Sequence, residues 1–215
     1  MADYKDYGFT TGSPAHTFGY LQEPLMALLD KQKNQSILDL GCGNGYLATY
    51  LLKQGYNAYG TDASAEGIAI AKRDYPDRFF LQDLSTGKLP DELLSARFDT
   101  IISTEVIEHW YDPAGFIDFC KTCLPNGGEL IISTPYHGYL KNLSLALFNH
   151  WDKHLSPDWH GGHIKFWSRK TLSKLLTDKG FRVTDFKGCG RMPYCWKSMI
   201  IKAELNGAHS LPSSS

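Results

Sequence analysis

Glu105, Glu108 and His109 stand together in the stretch Glu105-Val106-Ile107-Glu108-His109. If a helical turn begins at Val106, positions i, i+3 and i+4 project to one side. Two carboxylates and an imidazole so gathered can hold a divalent cation. Alternatively, His109 can act as a general base near neutral pH, because an unperturbed imidazole titrates close to it. Local hydrogen bonding by Glu108 and His109 is the plainer alternative. A second chemical feature lies upstream, where Asp39 is followed by glycines at 41, 43 and 45. Glycine lets a backbone turn sharply and lets a ligand come close.

These groups need elements to position them. The apolar run Ser36–Leu40 reads as a buried strand opening into the glycine bend, and Tyr46, Leu47, Tyr50 and Leu51 continue at helical spacing. Strand, glycine turn and helix is how open α/β sheets bind nucleotide-like ligands at their strand ends. The dinucleotide pattern G-x-G-x-x-G is not met: Tyr46 occupies its last position and the third glycine comes one residue early. A second strand, 57–61, ends at Asp62, a carboxylate able to accept from both hydroxyls of a ribose. Ser64 follows as an N-cap. A third strand, 78–81, runs into Asp83, and a fourth, 98–103, into Thr104 and the Glu105–His109 group.

Asp39-Leu40-Gly41-Cys42-Gly43-Asn44-Gly45 after a strand resembles the loop of class I S-adenosylmethionine-dependent methyltransferases. The resemblance implies a Rossmann-like α/β fold: a seven-stranded, mostly parallel sheet with helices on both faces and an antiparallel last strand. It also implies S-adenosyl-L-methionine as cofactor. Asp39, Gly41, Cys42, Gly43 and Gly45 would then wrap its methionine half, and Asp62 with Ala63 its ribose. Asp83 would take the adenine amino group while Leu84 packs on the ring, and Thr104 would close the donor site. Glu105, Glu108 and His109 become the catalytic candidates.

The E-x-x-E-H pattern further resembles two groups, the ubiquinone-biosynthesis O-methyltransferases and the small-RNA terminal 2′-O-methyltransferases. Both carry a histidine just before a Lys-Phe pair, here His163-Ile164-Lys165-Phe166. In the RNA enzymes this set binds magnesium, so the resemblance makes Glu105, Glu108, His109 and His163 candidate ligands for Mg, Mn or Zn. It spans about residues 36 to 187 and implies O-methylation of a small aromatic or apolar hydroxyl compound. The alternatives are N- or C-methylation of a small metabolite, RNA 2′-O-methylation, and a catalytically silent cofactor-binding partner subunit.

Composition agrees with a single enzyme domain. The chain has 215 residues, 42% hydrophobic, enough for one ordinary core. A net charge of −1 argues against bulk nucleic-acid binding. Ten Lys/Arg against three acids between 165 and 204 could still meet a membrane surface or a protein partner, although such charges are more often spread over solvated faces. No apolar run approaches the ~20 residues of a membrane span, and the polar start is not a signal peptide, so a cytoplasmic protein is expected. Cys120-x-x-Cys123 falls in a helical pattern and reads as core, since no second pair completes a zinc site.

The expected organisation is an N-terminal cap (1–35) with a helix near Glu23–Lys31, a catalytic domain over 36–205, and a disordered tail over 206–215. Pro135 to Phe166 reads as a long irregular segment, part of a substrate lid at about 135–167. The lid carries seven aromatics, Trp159 and Phe166 among them, and five histidines at 137, 150, 154, 160 and 163. An aromatic-lined pocket for the acceptor is expected there.

Overall fold

The computed structural model describes residues 8–155 and 162–207. The expected disordered tail therefore lies almost wholly outside the described residues, as do Trp159 and His160 of the lid.

Seven strands form one sheet: β1 (Ser36–Leu40), β2 (Asn57–Asp62), β3 (Phe79–Leu81), β4 (Thr100–Thr104), β5 (Glu129–Pro135), β6 (Phe181–Cys189) and β7 (Ser198–Leu205). Their order is β3-β2-β1-β4-β5-β7-β6, with β7 antiparallel to both neighbours and the other neighbouring pairs parallel. The chain runs outward from β1 through β2 to β3, then returns to lay β4 on the opposite side of β1. Beyond the carboxyl ends of β1 and β4 the connecting loops diverge, which opens the crevice where such sheets receive ligands.

Both faces are covered. Helices α1 (Phe18–Met26), α2 (Tyr46–Lys53) and α3 (Ala65–Ala71) pack on one side, around Ile37, Ala58 and Ile131. On the other side α4 (Pro113–Cys123) and α7 (Arg169–Asp178) pack around Leu38, Ile101 and Leu130. Strand β5, in the middle of the sheet, is buried at every residue, as a two-sided strand must be. The caps fall where the sequence puts them. Ser64 accepts from Gly67 N, and Asp112, followed by proline at the first helical position, accepts from Gly115 N. Cys120 is fully buried in α4, as a core residue.

Two expectations are corrected. The N-terminal helix runs over Phe18–Met26 rather than Glu23–Lys31, because Phe18, Leu21 and Leu25 supply the buried stripe, and Pro24 is carried inside it. The segment after β5 is not irregular throughout: α5 (Tyr139–Leu147) and α6 (Trp151–Leu155) form within it. No helix among the described residues is long and apolar enough to cross a membrane.

At the end of the sheet away from the crevice, Lys202 and Glu129 form a 2.7 Å ion pair with both side chains 12% exposed. Asn34 donates to Glu129 and to Thr100, and Lys202 also donates to Leu28 O. Removing one partner of a buried pair leaves the other charge uncompensated, which typically costs about 3–5 kcal/mol. Lys202→Met is expected to lower the melting temperature by roughly 6–20 °C, at about 2–4 °C per kcal/mol for a chain of this size. An unchanged thermal transition would show that the pair contributes nothing.

Candidate active site

The glycine bend is held by its own chain as well as shaped for a ligand. Gly41 has φ +80°, and a Cβ there would come within 2.6 Å of Val106 Cγ2. Gly45 has φ +76°, and its Cβ would meet the Ala71 methyl at 2.4 Å. These positions exclude a side chain because β-strand, helix α3 and the turn after β4 close on them. Packing is thus a second reason for the glycines, one the sequence alone does not reveal. The N-terminal segment crosses over the bend: Asn44 donates both amide hydrogens, to Thr11 O and Ser13 O at 2.8 Å each.

Two acids sit under this bend. Asp62, at the tip of β2, accepts from Gly43 N and Ser64 N, both at 2.8 Å. Burial still raises its pKa, against the pull of the backbone N–H groups of Ser64, Gly43 and Ala63. Asp39 is 1% exposed, and neither of its oxygens has a hydrogen-bond partner. Burial first, and then the Asp62 charge, raise it to about 8; the Ala48 N–H opposes that rise without forming a hydrogen bond of proper geometry. A buried carboxylate with no donor is a site awaiting one.

A cavity of about 850 Å³ joins these acids to the end of β4. Asp39, Gly41, Cys42, Gly43, Asp62, Ala63, Leu84 and Thr104 line it, together with Glu105 and His109. Gly45 and Asp83 do not. Asp83 instead caps the single 3₁₀ turn Leu84–Thr86, its Oδ1 accepting from Ser85 N at 3.0 Å and Ser85 Oγ at 2.6 Å. Trp110, Phe116, Phe119 and Ile164 add an apolar wall.

The turn after β4 divides the expected acid–imidazole group. Glu105 takes a left-handed backbone, φ +55°, and its N–H donates to Ser133. Its carboxylate is held by Ser133 Oγ at 2.8 Å and Ser198 Oγ at 3.2 Å, and Tyr20 of α1 lies 3.4 Å beyond on Ser198. Only then does the 3₁₀ turn Ile107–His109 begin. Glu108, 1% exposed, accepts from Thr134 Oγ1 at 3.0 Å through Oε2, while Oε1 is buried without a partner. Ligand atoms of Glu108, His109 and His163 all lie within 4.8 Å of one another. Glu105 stands outside that group, because its side chain leaves the strand before the turn starts. Three of the four candidate ligands are brought together.

Electrostatics mark the same place. Burial raises Glu105 to about 7, against Ser133, Ser198 and the Lys141 charge, and burial plus the Glu105 charge push Glu108 well above the usual carboxylate range. Burial lowers His163 to about 4, helped by the charges of His109, His154 and Lys141, which leaves the ring neutral with one nitrogen able to accept or ligate. His109 Nδ1 faces Gly162 O at 3.4 Å, and the segment after it is pinned where Ile164 N and Lys165 N donate to Glu108 O. His109 and His163 pack edge to face at 4.9 Å.

Sequence reasoning missed Ser198, Tyr20 and the role of Lys141. Lys141 is 7% exposed, donates to Lys197 O at 3.1 Å, and is lowered to about 8, chiefly by burial. None of the three lies near the motif in the chain, so no local pattern signals them. Of the ten cations between 165 and 204, Lys174, Lys179, Arg182 and Lys187 form exposed or half-exposed ion pairs, and Lys202 a largely buried one.

Comparison with known proteins agrees with this geometry. A family profile described as a methyltransferase domain matches residues 15–185. The ubiquinone biosynthesis O-methyltransferase of Dinoroseobacter shibae is 31% identical over 163 residues, which cover 73% of this chain and 63% of that protein's length. The enzyme of the same name from Cereibacter sphaeroides is 25% identical over 196 residues, 87% of this chain and 79% of that one. Among solved structures, the magnesium protoporphyrin IX methyltransferase of Synechocystis, with bound SAH, superposes with a TM-score of 0.64 at 20% identity, covering 86% of this chain and 81% of that one. A sheet that reverses direction beside a glycine bend, two buried acids on successive strand tips, and a profile matched over most of the length have one common source: the chain belongs to the class I S-adenosylmethionine-dependent methyltransferases.

Proposed function

We propose that this chain transfers a methyl group from S-adenosylmethionine to the hydroxyl of a small aromatic or apolar compound. The carrying observation is a single cavity lined at one end by Gly41–Gly43, Asp39 and Asp62, and at the other by Glu105, His109 and an apolar wall. The curated relatives named as O-methyltransferases support the choice of oxygen.

The donor brings an electrophilic methyl group on a sulfonium, and the residues present suit it. Asp39 offers an unpartnered carboxylate to its ammonium, and Asp62 offers one to the ribose hydroxyls. Leu84 fits the adenine face, with Asp83 beside it as the proposed partner of the amino group. At the acceptor end, Trp110 and Phe116 would hold an apolar ring. Holding the two reactants in one cavity can supply several kcal/mol, on the order of 7–11 in the best-aligned cases. A phenol, with a pKa of about 10, is a poor nucleophile until it loses its proton. His109, which lines the cavity with its Nδ1 facing Gly162 O, is the proposed base for that proton.

A second reading of the same end is favoured by the orphaned Glu108 oxygen. Glu108, His109 and His163 would hold a divalent cation, which lowers a hydroxyl pKa by coordination. One carboxylate and two imidazoles suit zinc or manganese better than magnesium.

Labelled S-adenosylmethionine incubated with phenols, catechols, amines and RNA ends, with and without chelator, tests the proposal. Product on the hydroxyl compounds is expected, and its absence from the whole panel would favour a silent cofactor-binding subunit. His109→Ala is expected to keep donor binding and to lose about 10²–10⁴-fold in turnover. Loss of turnover in chelator, reproduced by Glu108→Gln, would assign the chemistry to a cation; indifference to chelator would assign it to His109 alone.

Asp39 makes donor binding depend on pH. Its proton, held up to about pH 8, must leave before an ammonium can pair with the carboxylate. Affinity for S-adenosylmethionine is therefore expected to rise with pH between about 6 and 7.5, by up to about tenfold per unit. Calorimetry in buffers of different ionisation enthalpy should show a proton released on binding. Asp39→Asn should bind more weakly and flatten the slope, and a flat wild-type profile would remove Asp39 from this role.

A further inference from the structure

Beside the Glu108 group the described histidines make another close pair. His137 lies in the turn between β5 and α5 and is 7% exposed. His154 lies in α6 of the lid and is half-buried. Their Nε2 atoms face each other at 3.4 Å. That spacing is beyond the roughly 2.7–3.2 Å of a good N–H hydrogen bond. It matches the separation of about 3.3–3.4 Å that tetrahedral geometry imposes on two nitrogens each about 2.0–2.1 Å from a zinc ion.

The orientation of the first ring points the same way. His137 Nδ1 faces Asn142 Oδ1 at 3.3 Å, and a carboxamide oxygen can only accept. A proton on Nδ1 satisfies that contact and leaves the Nε2 lone pair on the side of His154. Metal-bound imidazoles are oriented by an outer acceptor in just this way. Phe166 packs edge to face on the ring at 5.0 Å and fixes its plane.

We propose that His137 and His154 form a cation site of the zinc or copper type, separate from the Glu108 group, which fastens α6 to the turn after β5. Neutral imidazoles select such borderline metals over magnesium. Burial keeps both rings neutral at physiological pH, with His137 lowered to about 4. The nearby Lys141 charge opposes a cation, and its ammonium is turned to Lys197 O. Two protein ligands leave the other positions to water, so the ion is exchangeable. His163 packs on His109 and stays with the Glu108 group. The inference does not rest on the methyl-transfer reading.

The test is zinc stoichiometry on the full chain after chelator treatment, by equilibrium dialysis. The wild-type chain is expected to bind about one zinc ion more than His154→Ala, and Glu108→Gln is expected to keep the ion held by His137 and His154. Added zinc should slow amide exchange across Trp151–Leu155 by at least about tenfold in wild type and in Glu108→Gln, but not in His154→Ala. His154→Gln, with circular dichroism and S-adenosylmethionine calorimetry on every variant, guards against misfolding and reports separately on the donor site. Equal zinc content in wild type and both His154 variants would overturn the proposal, leaving the pair as a long hydrogen bond. A single ion lost equally from His154→Ala and Glu108→Gln would overturn it too, since one shared site is not a second one.

Discussion

Uncompensated buried acid at the carboxyl edge of the sheet is the constraint around which the rest is arranged. Asp39, Asp62, Glu105 and Glu108 come from the ends of β1, β2 and β4, and burial raises the pKa of all four. Hydrogen bonds from Gly43, Ser64, Ser133, Ser198 and Thr134 hold three of them, and Asp39 has none. Burying charge without a partner is costly, so the apo protein keeps part of it neutral by holding protons. A ligand that carries positive charge displaces those protons and gains the carboxylates as partners. A donor with a sulfonium and an ammonium carries charge that complements the acids lining this crevice.

The backbone at Glu105 decides how the acids are shared out. A left-handed conformation at a non-glycine residue costs on the order of 1–3 kcal/mol and persists where its surroundings enforce it. Here Ser133 enforces it from both sides, accepting the Glu105 N–H and donating to its carboxylate. The strain turns Glu105 toward β5 and β7 and leaves Glu108 and His109 to face His163. Glu105 thereby joins α1, through Ser198 and Tyr20, to the reaction end of the cavity. Its observed contacts make it a structural link between β5, β7 and the cavity.

Among the described residues after β5, Gly162 and Ile164 line the cavity, and the aromatic residues expected to wall an acceptor pocket there, such as Tyr136, Trp151 and Phe166, do not. The segment is pinned at three points: Glu108 O receives Ile164 N and Lys165 N, Trp167 O receives His137 N, and His137 meets His154. Helix α5 is attached mainly through buried Lys141, while Tyr139, Leu147 and Phe148 remain exposed. This segment is thus tethered at its polar residues more than packed by its apolar ones.

Legible in the sequence alone were the strands, the acids and glycines at their tips, and the helix caps at Ser64 and Asp112. These depend on local spacing, on which residues can cap, and on the loss of Cβ at Gly41 and Gly45. The sequence also picked out Asp39, Asp62, Glu108, His109 and His163, because a contiguous motif carries each of them. It misplaced α1, whose buried stripe is Phe18, Leu21 and Leu25, and it left α5 and α6 unseen, since Tyr139, Leu140, Leu143 and Leu147 of α5 are exposed and form no buried stripe. Only the tertiary structure decided that Glu105 leaves the metal group, that Asp83 caps its own turn, and that Ser198, Tyr20, Lys141, His137 and His154 close on the site. Those contacts join residues far apart in the chain, and their energies arise from burial and orientation that no local pattern encodes.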